Sequence, residues 1–204
     1  NIAQKTAVML DHFRTVTARK MGGRAKAMLV TPSRLHAVRY MREFTRQIRE
    51  GRINGVRALV AFSGEVRDTV DGVAVTCTEE GLNKETHGFR ISEKELPAHF
   101  AGEFNILIVA EKYQTGFDEP LLHTMFVDKQ LSGVKAVQTL SRLNRTAPGK
   151  EDTFVLDFVN SAEDMQKSFA PFYEATLLEE ETDPNLVYDI RHRLDDFRVY
   201  GPEQ

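Results

Sequence analysis

The chain has 204 residues, 41% hydrophobic and 28% charged, with 13 Gly and 7 Pro, which describes one globular domain with appendages and excludes collagen, coiled coil and extended disorder. No apolar run approaches the roughly 18 residues that crossing a bilayer needs, and the lone Cys77 forbids an internal disulfide, so a cytoplasmic setting without a membrane partner is the expectation. A net charge of −3 hides an asymmetry: residues 14–52 hold 11 basic side chains against Glu43 and Glu50, whereas residues 151–204 hold 14 acidic ones against Lys167, Arg191, Arg193 and Arg198.

The basic block suits a polyanion, or simply a set of solvated helix faces. Opening on Asn1-Ile2-Ala3 with neither Met nor signal pattern, the chain reads as a piece of something longer.

In chain order, Ile2, Met9, Phe13 and Val16 at helical spacing predict a helix over residues 2–20, stopped by Gly22-Gly23. Residues 27–31, closed by Pro32, read as a buried strand. Ser33 can then cap a helix to about Glu50, with Ala37, Met41, Phe44 and Ile48 inward and Arg39, Arg42, Arg46 and Arg49 on another face. Further buried strands are expected at 56–62, 106–110, 124–127 and 153–158. Strands alternating with helices favour a parallel sheet covered on both faces. Residues 63–104 are polar and least readable, offering an edge strand at 73–76 and a short helix near 92–100. From about Ser161 the pattern turns helical and acidic, with Asp183-Pro184 dividing it into two helices of an arm.

The chain contains no G-x-x-x-x-G-K-[ST] phosphate loop, no H-E-x-x-H and no G-x-S-x-G, so a self-sufficient nucleotide enzyme, a metal site and a serine nucleophile are not expected. Three segments could carry chemistry. Over residues 132–145, helical periodicity puts Gln138, Arg142 and Arg145 on one face and Val137, Leu140 and Leu143 elsewhere, so two guanidinium forks could meet a phosphoryl group; a solvated amphipathic helix would look the same. Residues 110–120 follow a strand, and there Gly116 permits close approach while Thr115 and Asp118 offer polar groups, as a ligand loop or a plain turn. Thr31-Pro32-Ser33-Arg34 opens a helix, which suits a nucleic-acid phosphate or an ordinary Ser cap.

Together these segments resemble the second motor domain of superfamily II helicases and translocases. Gln138-x-x-Ser141-Arg142-x-x-Arg145 looks like motif VI, with Ser141 where glycine is usual; Thr115-Gly116-Phe117-Asp118 looks like motif V; residues 28–33 look like motif IV. Residues 106–160, including Tyr113 to Asp118 and the Asp152 to Phe158 run, are similar to the R (HsdR) subunit of type I restriction-modification enzymes.

The resemblance implies an α/β, RecA-like (P-loop NTPase type) lobe over residues 1–160, with 63–104 as a variable insertion and 161–204 as a helical arm. It implies ATP-dependent translocation on double-stranded DNA within a subunit that also cleaves it, beside methyltransferase and specificity subunits. ATP and Mg²⁺ would be held mainly by a first motor lobe outside this chain. Arg142 and Arg145 would be catalytic; Gln138, Gly116 and Asp118 would join them at the nucleotide; Thr31, Ser33 and Thr115 would touch DNA phosphates. A non-catalytic nucleic-acid adaptor is the competing reading.

Overall fold

The computed structural model describes residues 1–113 and 116–179, of which 173–179 as helical backbone alone. Five strands form one sheet in the order β2-β5-β1-β6-β7: β1 (Lys26–Val30), β2 (Ala58–Ala61), β5 (Ile106–Val109), β6 (Leu122–Val127) and β7 (Phe154–Asp157). Every pair in it is parallel. All five expected strands are present, each a residue or two from its expected bounds.

Alternation along the strands divides the core into two layers. Ala27, Leu29, Val60, Ile106, Ile108 and Phe126 face α1 (Ile2–Thr15) and α2 (Arg34–Glu50), which supply Met9, Leu10, Phe13, Ala37, Met41 and Phe44. Met28, Val30, Leu59, Leu107, Val109 and Met125 face the other way, toward Phe100, Phe117, Ala136 and Leu143. The expected α/β class, a parallel sheet with helices on both faces, is what the chain adopts. Ser33 caps α2, its Oγ accepting from His36 N at 3.3 Å, and Gly51 ends the helix.

The first helix stops earlier than its periodicity predicts. It ends at Thr15, and Thr17–Gly23 is 3-10 turn with left-handed Met21 and Gly22. The reason is tertiary: Thr17 is fully buried and its hydroxyl pairs at 2.8 Å with that of Thr124 in β6.

Residues 63–104 hold more structure than expected. β3 (Glu65–Val70) and β4 (Val73–Thr78) form an antiparallel hairpin, turned by Asp71-Gly72 with both φ positive, as a two-residue hairpin of this kind requires. Two helices follow, α3 (Glu79–His87) and α4 (Leu96–Ala101). Helix α3 covers the edge of the sheet. Along β2 and just past it, Phe62 N donates to Glu79 Oε2 at 2.8 Å, Val60 N and O bond the Asn83 amide at 3.0 and 2.9 Å, and Ala58 O accepts from His87 Nε2 at 2.8 Å. Four helical residues advance ~6 Å and two strand residues ~6.6 Å, so side chains at every fourth helical position can serve every second strand residue. An edge that would otherwise template another chain is closed.

Helix α5 (Gly133–Leu140) follows β6, and α6 (Ala162–Glu179) follows β7. Helix α6 packs on α5: Ser168 Oγ accepts from Gly133 N at 3.0 Å, and Met165 lies against the second core layer. The expected break at Asp183-Pro184 lies outside the described residues. No described helix is long and apolar enough to cross a membrane.

Candidate functional site

The expected straight helix over 132–145 is broken. Helix α5 ends at Leu140, Ser141–Asn144 is a 3-10 turn, and Arg145 is extended at φ −67°, ψ 130°. The single three-residue stripe of Gln138, Arg142 and Arg145 is therefore not a helix face. What replaces it is a contact with the 110–120 segment. Arg142 Nη1 donates to Phe117 O at 3.0 Å and its Nε to Gln138 O at 3.3 Å, while Arg145 Nε lies 3.1 Å from Asp118 Oδ1. The Arg145 and Asp118 side chains are 53% and 61% exposed, and Gln138 is exposed as well.

Phe117 anchors this contact. It is buried against Tyr113 and Phe100, with ring centroids 4.9 and 5.9 Å away. The chain reaches it through left-handed Glu111, Tyr113 and Gly116, a path that strains non-glycine residues. Lys112 holds the strained stretch by bonding Glu79 and Glu93, each at 2.8 Å. Burial works to lower the Lys112 ammonium pKa, but those two carboxylates outweigh it and leave the value raised; burial pushes the Glu79 carboxyl above its ordinary value. Thr115 lies outside the described residues.

Asp118 and the arginines sit at the rim where strands begin, a correction to the expectation that the 110–120 segment would offer a ligand crevice at the strands' carboxyl ends. Leu121 O accepts from Lys26 N, at the first residue of β1, at 2.9 Å. The segment crosses the sheet from the end of β5 to the start of β6, and α5 runs back the same way.

Thr31 and Ser33 lie at the opposite rim. Thr31 is fully buried, and its single hydroxyl proton lies between Val109 O at 2.9 Å and Ser33 O at 3.1 Å. Its side chain therefore has no hydroxyl to offer a phosphate, which corrects the expectation for that residue. Ser33 is half-buried as the cap of α2, with Oγ 2.8 Å from His36 Nδ1. A further polar cluster at this rim was not legible from spacing: Asp128, directly after β6, is buried between Lys5 Nζ at 2.5 Å and the Tyr40 hydroxyl at 2.6 Å. Burial, then the bond to Asp128, raises the Tyr40 pKa strongly.

The basic face of α2 is largely neutralised. Arg39 and Arg42 both bond Asp68 in β3, at 2.9 and 2.8 Å, and Arg46 bonds Glu43 and Glu50. Among the described residues no group of three His, Cys, Asp or Glu gathers to hold a metal ion.

Residues 81–160 match the model of the family described as type I restriction enzyme subunit R, domain 3. A Methanocaldococcus jannaschii protein named for the endonuclease subunit of type I restriction enzyme MjaIXP is 27% identical over 181 residues, 89% of this chain and 16% of the relative. The type I restriction enzyme HindI endonuclease subunit of Haemophilus influenzae is 28% identical over 74 residues, 35% of this chain and 7% of the relative. Among solved structures, Mss116p bound to ssRNA and AMP-PNP is similar at TM-score 0.48 and 17% identity, over 83% of this chain and 28% of that one. The chain spans about a sixth of the first two curated relatives it matches, 16% and 17%. The resemblance to type I restriction enzyme R subunits that the motifs carry is borne out.

Proposed function

We propose that this chain, similar to R subunits over most of its length, is the second motor lobe of an ATP-dependent double-stranded DNA translocase within a type I restriction endonuclease. The observation that carries the reading is the meeting of two motif-like segments at one rim: Arg145 against Asp118, and Arg142 against the carbonyl of Phe117.

Arg142 is held by neutral carbonyl oxygens, so its positive charge stays uncompensated; Arg145 shares one exposed carboxylate. A permanent positive charge that is already oriented stabilises the charge that builds on a transferring phosphoryl group, at no reorganisation cost during the reaction. ATP supplies that group, bound with Mg²⁺ mainly by a first motor lobe elsewhere in the polypeptide. From this side Arg142 and Arg145 would face the triphosphate, with Asp118, Gly116 and Gln138 around the nucleotide. When the contact with the triphosphate forms and is lost, the two lobes close and part. Ser33 and the amides at the start of α2 would grip strand phosphates at the opposite rim, which gives movement without base readout; Thr115 is also proposed to touch DNA phosphates. Methyltransferase and specificity subunits are the further partners that this reading brings.

The adaptor alternative is weakened on α2, where Arg39, Arg42 and Arg46 answer carboxylates of the same chain. The test is Arg145→Ala in the full-length R subunit: DNA-stimulated ATP hydrolysis falls by about 10³-fold or more while nucleotide binding persists. Turnover at the wild-type rate refutes the assignment.

A further inference from the structure

The loop that carries the chain from the arginines to β7 is fixed by cations. Lys20 Nζ lies 2.6 Å from Asp152 Oδ2, and Arg24 Nη2 donates to Pro148 O at 3.3 Å. Lys150 does more. Its ammonium donates to Leu143 O and Arg145 O, each at 2.7 Å, and to Pro120 O at 3.2 Å. A lysine ammonium has three N–H groups, and here each reaches a main-chain carbonyl. Leu143 lies in the 3-10 turn and Arg145 directly after it, where carbonyl groups lack helical partners and a cation is favoured. Pro120 lies two residues after Asp118. Burial draws the Lys150 ammonium below the ordinary lysine value, as expected of a group withdrawn from water.

One side chain thus joins the main chain of the segment presenting Arg142 and Arg145 to that of the segment presenting Asp118. No other described contact ties both Arg145 O and Pro120 O to one atom. We propose that Lys150 is a positioning residue for phosphoryl transfer: by clasping these carbonyls it sets where the Arg145 guanidinium stands relative to Asp118, and so where it meets the triphosphate. Lys150 itself touches no substrate. The inference rests on the motor-lobe reading above.

The experiment uses the full-length R subunit and compares Lys150→Met, which removes all three donors at similar length, with Lys150→Arg, which keeps the charge and several donors. DNA-stimulated ATP hydrolysis by Lys150→Met falls on the order of 10- to 100-fold in kcat, the scale of a misplaced catalytic group, with KM unchanged. Lys150→Arg regains most of the loss. In an Arg145→Ala background, Lys150→Met lowers the residual rate no further, because the Arg145 guanidinium that Lys150 places is gone. Melting temperatures are measured alongside; if Lys150→Met does not fold, the same readings are taken on Lys150→Gln, which keeps two donors. Wild-type kcat in the folded variant, or an equal fall in both backgrounds, overturns the positioning role. Wild-type turnover by Arg145→Ala alone overturns the motor reading instead, so the two failures are distinguishable.

Discussion

Two sets of arginines in this molecule have similar spacing and opposite surroundings. On α2, Arg39, Arg42 and Arg46 each face carboxylates, and Asp68, whose side chain is only 3% exposed, takes two of them. Beyond α5, Arg142 is held by carbonyl oxygens and Arg145 by one well-exposed carboxylate. Charge on the first set is cancelled within the fold, where Arg39 and Arg42 fasten the β3–β4 hairpin to α2. Charge on the second set remains available to an anion from outside. The spacing of arginines along a helix says nothing about which case applies; the partner does.

Exchanging a fork for a point charge presses hardest on this contrast. Arg142→Lys in the full-length subunit keeps the charge but cannot reach both Phe117 O and Gln138 O, and lowers DNA-stimulated ATP hydrolysis by about 10²–10³-fold, the scale for one misplaced transition-state donor. Arg39→Lys leaves that rate unchanged. A rate that survives Arg142→Lys, or falls with Arg39→Lys, erases the distinction. Next in size is Asp68→Ala, expected to destabilise the chain by about 1–3 kcal/mol in urea titrations, since Arg39 and Arg42 lose the acceptor they share. No loss of stability would mean that the hairpin is held by Val66 and Cys77 packing alone.

The hydrogen bond from Arg39 foremost holds the Asp68 carboxyl below its ordinary value. A folded value below the unfolded one stabilises the ionised native state; that contribution is complete above the ordinary aspartate value of about 4 and is lost as pH falls through the native one. The stability gap between wild type and Asp68→Asn therefore narrows on acidification below about pH 4, and a gap constant with pH would contradict the pairing. Smallest is Arg46→Ala: the ion pairs with Glu43 and Glu50 are exposed, and the urea midpoint should not move measurably. A clear shift would show that even this arginine is structural.

Strand positions were readable because a parallel strand buried on both faces is a short unbroken apolar run, as at 106–109 and 27–30. The Ser33 cap and Gly51 stop of α2 were readable because a helix end has its own local chemistry. In the 63–104 region the strand expected at 73–76 and the helix expected near 92–100 are present as β4 and α4, but β3 and α3 were not readable, although Asp71-Gly72 between two β-prone runs is a hairpin signal. Glu65 to Val70 alternates exposed and buried residues and Val73 to Thr78 is mostly exposed, so neither has the long apolar run that marks a buried strand. Helix α3 escaped notice because its inward face is polar apart from Leu82. Glu79, Asn83 and His87 serve a sheet edge, and hydropathy cannot distinguish such residues from solvated ones.

For the candidate site, the residue types and their order along the chain were visible, which is why Asp118, Arg142 and Arg145 could be named. Their meeting was not, because a straight helix predicts a face that the 3-10 turn at Ser141–Asn144 removes. Local periodicity reports on neighbours three or four residues apart, and it was enough to establish the strands, the span of α2 and a parallel α/β architecture. Partners 27 residues apart such as Asp118 and Arg145, the burial of Thr31 and the clasp of Lys150 depend on which main-chain groups the folded sheet leaves without partners, a quantity that exists only once distant segments have packed.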